Sequence, residues 1–162
     1  MPTLFWDASG LAKRYTEEIG NGTAEALFHQ ASAPKMTTTL WGYTETFSLL
    51  LRKHNDGRLR ASFAITASAL RNDLLGHAPF RLLAVTDSAI LSSILLIQRH
   101  NINATDAALL VTLLRHARTS GETCVLVAAD GRFCRAAQAE GLAVINPEVM
   151  PAADVPAFVA AL

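Results

Sequence analysis

Four acids stand where a folded chain could turn them to chemistry: Asp7, Glu45, Asp106 and Asp130. Asp7 ends the apolar run Thr3-Leu4-Phe5-Trp6, and Asp130 ends Thr123-Cys124-Val125-Leu126-Val127-Ala128-Ala129. Such runs, bounded by a polar break, read as buried strands. Glu45 falls about one turn into a helix expected over Leu40 to His54, and Asp106 in the first turn of the apolar stretch Ala107 to Leu114. Each acid has an ordinary structural explanation, as a helix cap or a partner of the helix dipole. Gathered in one place, however, they would repel: two unit charges ~4 Å apart cost about 4 kcal/mol at an effective dielectric of ~20. Either they do not meet, or a divalent cation holds them. An all-carboxylate set suits Mg2+ or Mn2+, and the absence of His and Cys from it argues against zinc. An ion of that kind, keeping several waters, points to phosphodiester hydrolysis. Ser9 and Thr105, each close to one acid, could support a metal water or a phosphate oxygen, or could simply cap helices.

The elements that must position these acids alternate in type. Strands are expected at 3–6, 35–39, 81–86, 122–129 and 142–145. Helices are expected at 8–17, 24–31, 40–54, 58–77, 88–100, 107–114 and 132–140. In the fifth of these helices the apolar face is read as Ile90, Leu91, Ile94, Leu95 and Ile97, with Asp87 as its cap; in the third it is read as Leu40, Tyr43, Phe47, Leu50 and Leu51. Pro34 and Pro79 are expected to break the chain beside the second and fourth. Alternation with connections of this length gives an α/β fold: a three-layer α/β/α sandwich on a mostly parallel sheet of about five strands. One domain over 1–148 is expected, with a tail over 149–162 that docks on the body or on a second subunit.

Composition bounds the function. The chain has 162 residues, 51% hydrophobic and 17% charged, with zero formal net charge. That excludes a disordered chain and gives no global electrostatic pull on nucleic acid. Any grip on nucleic acid must be local, with Lys13, Arg14, Arg52, Lys53 and Arg115 as candidates. Cys124 and Cys134 have no redox or metal spacing and read as buried thiols. With no signal core and no apolar run near ~20 residues, a cytoplasmic location away from the membrane is expected.

The ordered set of motifs resembles that of PIN-domain ribonucleases, in particular the toxins of VapBC-type toxin–antitoxin pairs. It runs through Asp7-Ala8-Ser9-Gly10-Leu11, the helix with Glu45, Ala104-Thr105-Asp106-Ala107, and Leu126-Val127-Ala128-Ala129-Asp130 followed by a helix and Ala143-Val144-Ile145-Asn146-Pro147. The resemblance implies Asp7, Glu45, Asp106 and Asp130 as metal-binding acids, RNA as substrate, a small antitoxin partner and a homodimer. Gly131-Arg132-Phe133 departs from the pattern that often follows the last acid. A non-catalytic PIN-like module binding RNA or protein is the alternative. A haloacid-dehalogenase phosphatase would need an acid where Ser9 stands, and no G-x-G-x-x-G follows any strand.

Overall fold

The computed structural model describes residues 2–31, 35–77 and 80–162. Five strands, β1 (Thr3–Trp6), β2 (Met36–Thr39), β3 (Arg81–Leu83), β4 (Cys124–Val127) and β5 (Ala143–Ile145), form one sheet in the order β3-β2-β1-β4-β5. Every pairing is parallel. The helices are α1 (Ala8–Leu11), α2 (Asn21–Gln30), α3 (Leu40–Asn55), α4 (Phe63–Leu75), α5 (Asp87–His100), α6 (Ala104–Ser120), α7 (Gly131–Ala139) and α8 (Val155–Ala160).

Strand periodicity divides the core in two. From β1, Leu4 and Trp6 join Leu11, Leu27, Leu50, Leu70, Leu74 and Val155 on one face. Phe5 between them joins Leu96, Leu109, Leu110, Leu113 and Phe133 on the other. Successive side chains on a strand point to opposite faces, so a run apolar at every position must be covered on both. This is the expected α/β/α sandwich. The segment 149–162 packs through Val155 into the first face, and Met150 accepts a 2.6 Å hydrogen bond from Thr23 Oγ1. No helix among the described residues is long and apolar enough to cross a membrane.

The strand order places the site. The chain leaves β1 for β2 and β3 on one side, then returns past β1 to β4 and β5 on the other. Order reverses between β1 and β4, and the crevice beyond their carboxyl ends is where ligands bind in open α/β sheets. Gly10 allows close packing there, because a Cβ on it would run into the Val127 carbonyl.

Several elements differ from expectation. The first helix is one α turn followed by 3-10 turns over Ala12–Tyr15, and α4 starts at Phe63 rather than Arg58. α2 starts at Asn21 rather than Ala24, with Gly20 as its cap. Thr86, not Asp87, caps α5, its side chain accepting from Ala89 N. The largest correction concerns which side of α5 is inward. Ala89, Ser93 and Leu96 are buried, while Ile90, Leu91, Ile94 and Leu95 face out. Likewise α3 buries Gly42, Thr46 and Leu50 and leaves Leu40, Phe47 and Leu51 exposed. Small residues let a helix lie close to its neighbour: a Cβ at Gly42 would collide with Thr38 Oγ1. The breaks expected at Pro34 and Pro79 lie outside the described residues.

Candidate active site

Asp7 follows β1 directly and is the N-cap of α1. Its Oδ2 accepts from Ser9 N at 2.9 Å and from the Ser9 hydroxyl. That hydroxyl oxygen in turn accepts from Ala129 N at 2.9 Å and Asp130 N at 3.3 Å. Ser9 therefore links the ends of the two strands on either side of the reversal point. Asp130 caps α7, its Oδ1 accepting from Arg132 N at 2.8 Å and Phe133 N at 3.0 Å. Asp106 sits at the third helical position of α6 in a reciprocal cap with Asn103: Asp106 N donates to Asn103 Oδ1 at 2.8 Å, and Asn103 Nδ2 donates to Asp106 Oδ2 at 2.7 Å. Asn103 is the N-cap, and the return bond ties the two side chains together instead of reaching the backbone N–H of the cap as in a capping box. The cap of α6 thus engages Asp106 directly. Glu45, from α3, makes no hydrogen bond or ion pair among the described residues.

Capping accounts for three acids singly and does not account for their meeting. Asp7, Glu45, Asp106 and Asp130 line a single cavity of about 270 Å³, together with Ala8, Ser9, Ser48, Leu49, Arg52 and Asn103. Burial, helped by the Asp130 charge and opposed by the Ser9 hydrogen bonds, pushes the Asp7 carboxyl above its usual range. Burial and Asp7 raise Glu45. Asp106 is pushed up to about 7, by burial first and then by Asp7, Asp130 and Glu45. No lysine or arginine pairs with any of the four among the described residues, so the repulsion is left uncompensated. Uncompensated carboxylates that shift one another mark a site for a cation or for proton transfer. As the side chains stand, no three metal-ligating groups among the described residues close on one point. The acids fit a hard ion in donor type, and would reach it after a shift of rotamer or partly through water, as suits Mg2+.

The other residues singled out in the sequence separate. Ser9 is in the cavity wall; Thr105, half-buried, is not. Of the five candidate RNA cations, only Arg52 lines the cavity. Lys13 is buried against Glu18 and Glu148, Arg14 pairs with Glu25, and Lys53 pairs with Glu18. Arg115 bonds to Ser88 and Ser92. The sequence leaves the capping of α6 to Thr105 or Asn103, and the structure gives it to Asn103, which also bonds the Asp106 carboxylate. That side-chain bond was not read from the sequence, and the position of Asn103 three residues before an acid at a helix start was the available signal.

No protein-family model matches the chain, and no curated protein does. Solved structures do. The fold is the PIN-like three-layer fold of VapC20 from Mycobacterium tuberculosis, a sarcin-ricin loop cleaving toxin, at a TM-score of 0.62 and 24% identity over 92% of this chain and 100% of that one. FitAcB from Neisseria gonorrhoeae matches at a TM-score of 0.58 and 15% identity, covering 91% and 100%. A toxin–antitoxin complex from Klebsiella pneumoniae matches at 0.54 and 16%, covering 90% and 98%.

Proposed function

We propose that this protein is a Mg2+- or Mn2+-dependent endoribonuclease and the toxin of a toxin–antitoxin pair. The observation that carries the reading is the convergence of four carboxylates without a cationic partner on the sheet's reversal point. The fold shared with VapC20, a toxin that cleaves the sarcin-ricin loop, supports RNA as the substrate class. The toxin–antitoxin complex among the similar structures supports a small protein antitoxin. Asp7, Glu45, Asp106 and Asp130 would hold the ion, which when bound supplies Lewis acidity at the phosphate and a more acidic water. The protein's own residues set the geometry. Ser9 fixes the Asp7 carboxylate, Asn103 fixes that of Asp106, and the α7 amides fix that of Asp130. Glu45, which nothing else holds, is the carboxylate able to take the proton of the attacking water at Oε.

Incubation of RNA with the purified protein and Mn2+ or Mg2+ tests the reading. The wild type should cleave, and Asp7→Asn should not, while melting at the same temperature or higher because it removes one of the repelling charges. Cleavage by Asp7→Asn would remove the acid site from the chemistry. Absence of cleavage by the wild type under both metals would leave a PIN-like binding module. The exposed apolar faces of α5 and of α3 are the surfaces an antitoxin and a second copy of the chain would cover.

A further inference from the structure

Ion pairs in this protein consume most of its positive charge. Lys13, Arg14, Lys35, Lys53, Arg58, Arg60, Arg81 and Arg99 all pair with carboxylates. Among the described residues, the cations left without a carboxylate are Arg52, Arg71, Arg115, Arg118, Arg132 and Arg135. Three of these six surround the acid cavity. Arg52 lines its α3 side. Arg132 and Arg135 line a second cavity of about 390 Å³ that shares Asn103, Asp106 and Asp130 as a common wall with the first. Arg135 lies one helical turn along α7, yet its Nη1 reaches back to 3.4 Å from where a Cβ on Gly131 would stand. Its guanidinium thus lies at the α7 end nearest Asp130.

These arginines are beside the acids without forming ion pairs with them. An exposed arginine near a carboxylate that it does not pair with is available to an outside anion. The guanidinium fork matches a phosphate bidentately and stays charged at all relevant pH. A polyanion approaching the site also meets a rim of four carboxylates, and flanking cations offset that repulsion.

We propose that Arg132 and Arg135 bind the RNA backbone on one side of the phosphate to be cut and Arg52 binds it on the other. The strand then runs across the rim from α3 to α7, through the two joined cavities. This rests on the ribonuclease reading and names the residues that hold its substrate. Arg52, Arg132 and Arg135 are positioning residues: they hold phosphates that do not react.

The test measures two properties of the wild type, Arg52→Ala, the double variant Arg132→Ala/Arg135→Ala, and the control Arg118→Ala. The first is binding of a short fluorescein-labelled single-stranded RNA in EDTA, as a function of salt. The second is single-turnover cleavage with Mn2+. Each arginine removed from the path should lower the slope of log K against log salt by ~0.7, the value for one phosphate contact on a single strand. The RNA concentration for half-maximal cleavage should rise while the rate at saturation changes little. Arg118→Ala should match the wild type in both. A wild-type slope in the double variant, or an equal loss in Arg118→Ala, overturns the proposal even if the protein cleaves RNA. A reduced slope in a protein that cleaves nothing upholds the RNA path and overturns the nuclease reading. No binding and no cleavage by the wild type overturns both.

Discussion

Asp106 carries two roles at once, and they pull on different atoms. Its backbone N–H and one carboxylate oxygen are engaged with Asn103, which fixes the first turn of α6, while the same carboxyl is pushed up to about 7 by burial and by the other acids. A carboxyl raised in the folded state favours folding less as pH climbs from its ordinary value through about 7, since charging it adds repulsion that the unfolded chain does not feel. A dication bound by the cluster reverses that effect in the native state alone. Millimolar Mg2+ or Mn2+ should therefore raise the melting temperature, by the equivalent of about 2.7 kcal/mol where the metal is at a hundredfold its Kd. Asp106→Asn should lose most of the shift. Scanning calorimetry with and without EDTA at pH 7.5 reads it, and an unchanged Tm with metal would count against the cluster as a cation site. At this scale Asp7, Asp106 and Asp130 were legible because each stands where an element begins or ends, and Glu45 because it is an acid among uncharged residues one turn into a helix. The cations were not. Whether Lys13 or Lys53 is free depends on where Glu148 and Glu18 fall in the fold, and sequence spacing carries no trace of that.

At the scale of elements, the opposite edge of the sheet is tied by a single carboxylate. Glu122, just before β4, accepts from Thr3 of β1 at 3.0 Å, from Lys35 ahead of β2 at 3.0 Å, and from Arg81 of β3 at 2.7 Å. Arg81 first, then Lys35 and Thr3, hold its carboxyl down at about 2. A carboxyl depressed on folding contributes stability above its ordinary pKa and loses it as pH falls toward the folded value. Wild type should thus weaken steeply between pH 4.5 and about 2, and Glu122→Gln should be less stable at pH 7 with a flatter dependence over that window. Urea midpoints across the range decide; parallel curves would mean that the cluster is only a solvated set of charges. Helix orientation was the element-level feature hardest to read. In α5 both Ile90-Leu91-Ile94-Leu95 and Ala89-Ser93-Leu96 follow a helical period. Periodicity gives the phases but not the choice between them, and close approach to α6 favoured the small residues. The strands had no such ambiguity, since β1 and β4 are buried at every position and are covered on both faces.

The whole molecule leaves apolar area uncovered. Leu91 and Leu95 on α5 are 70% and 64% exposed, next to Ile90 and Ile94 on the same helix. The homodimer expected from the family resemblance would have an apolar surface to bury there. Leu91→Glu combined with Leu95→Glu should convert a wild-type dimer to monomer in sedimentation velocity without lowering the melting temperature of the protomer by more than a degree or two, because neither side chain contributes to the core. A dimer that survives both charges would place the contact elsewhere, with the Leu40, Trp41 and Leu51 face of α3 as the next to alter.

The strand order has a consequence for synthesis. The bowl's floor is β1, made first, and its far wall is β4, made near the end; between them lie the residues that supply Glu45 and Asp106. During translation, no partial chain that stops short of Asp130 can assemble the four acids. A ribosome that stalls anywhere upstream of Asp130 releases a fragment without a complete acid bowl.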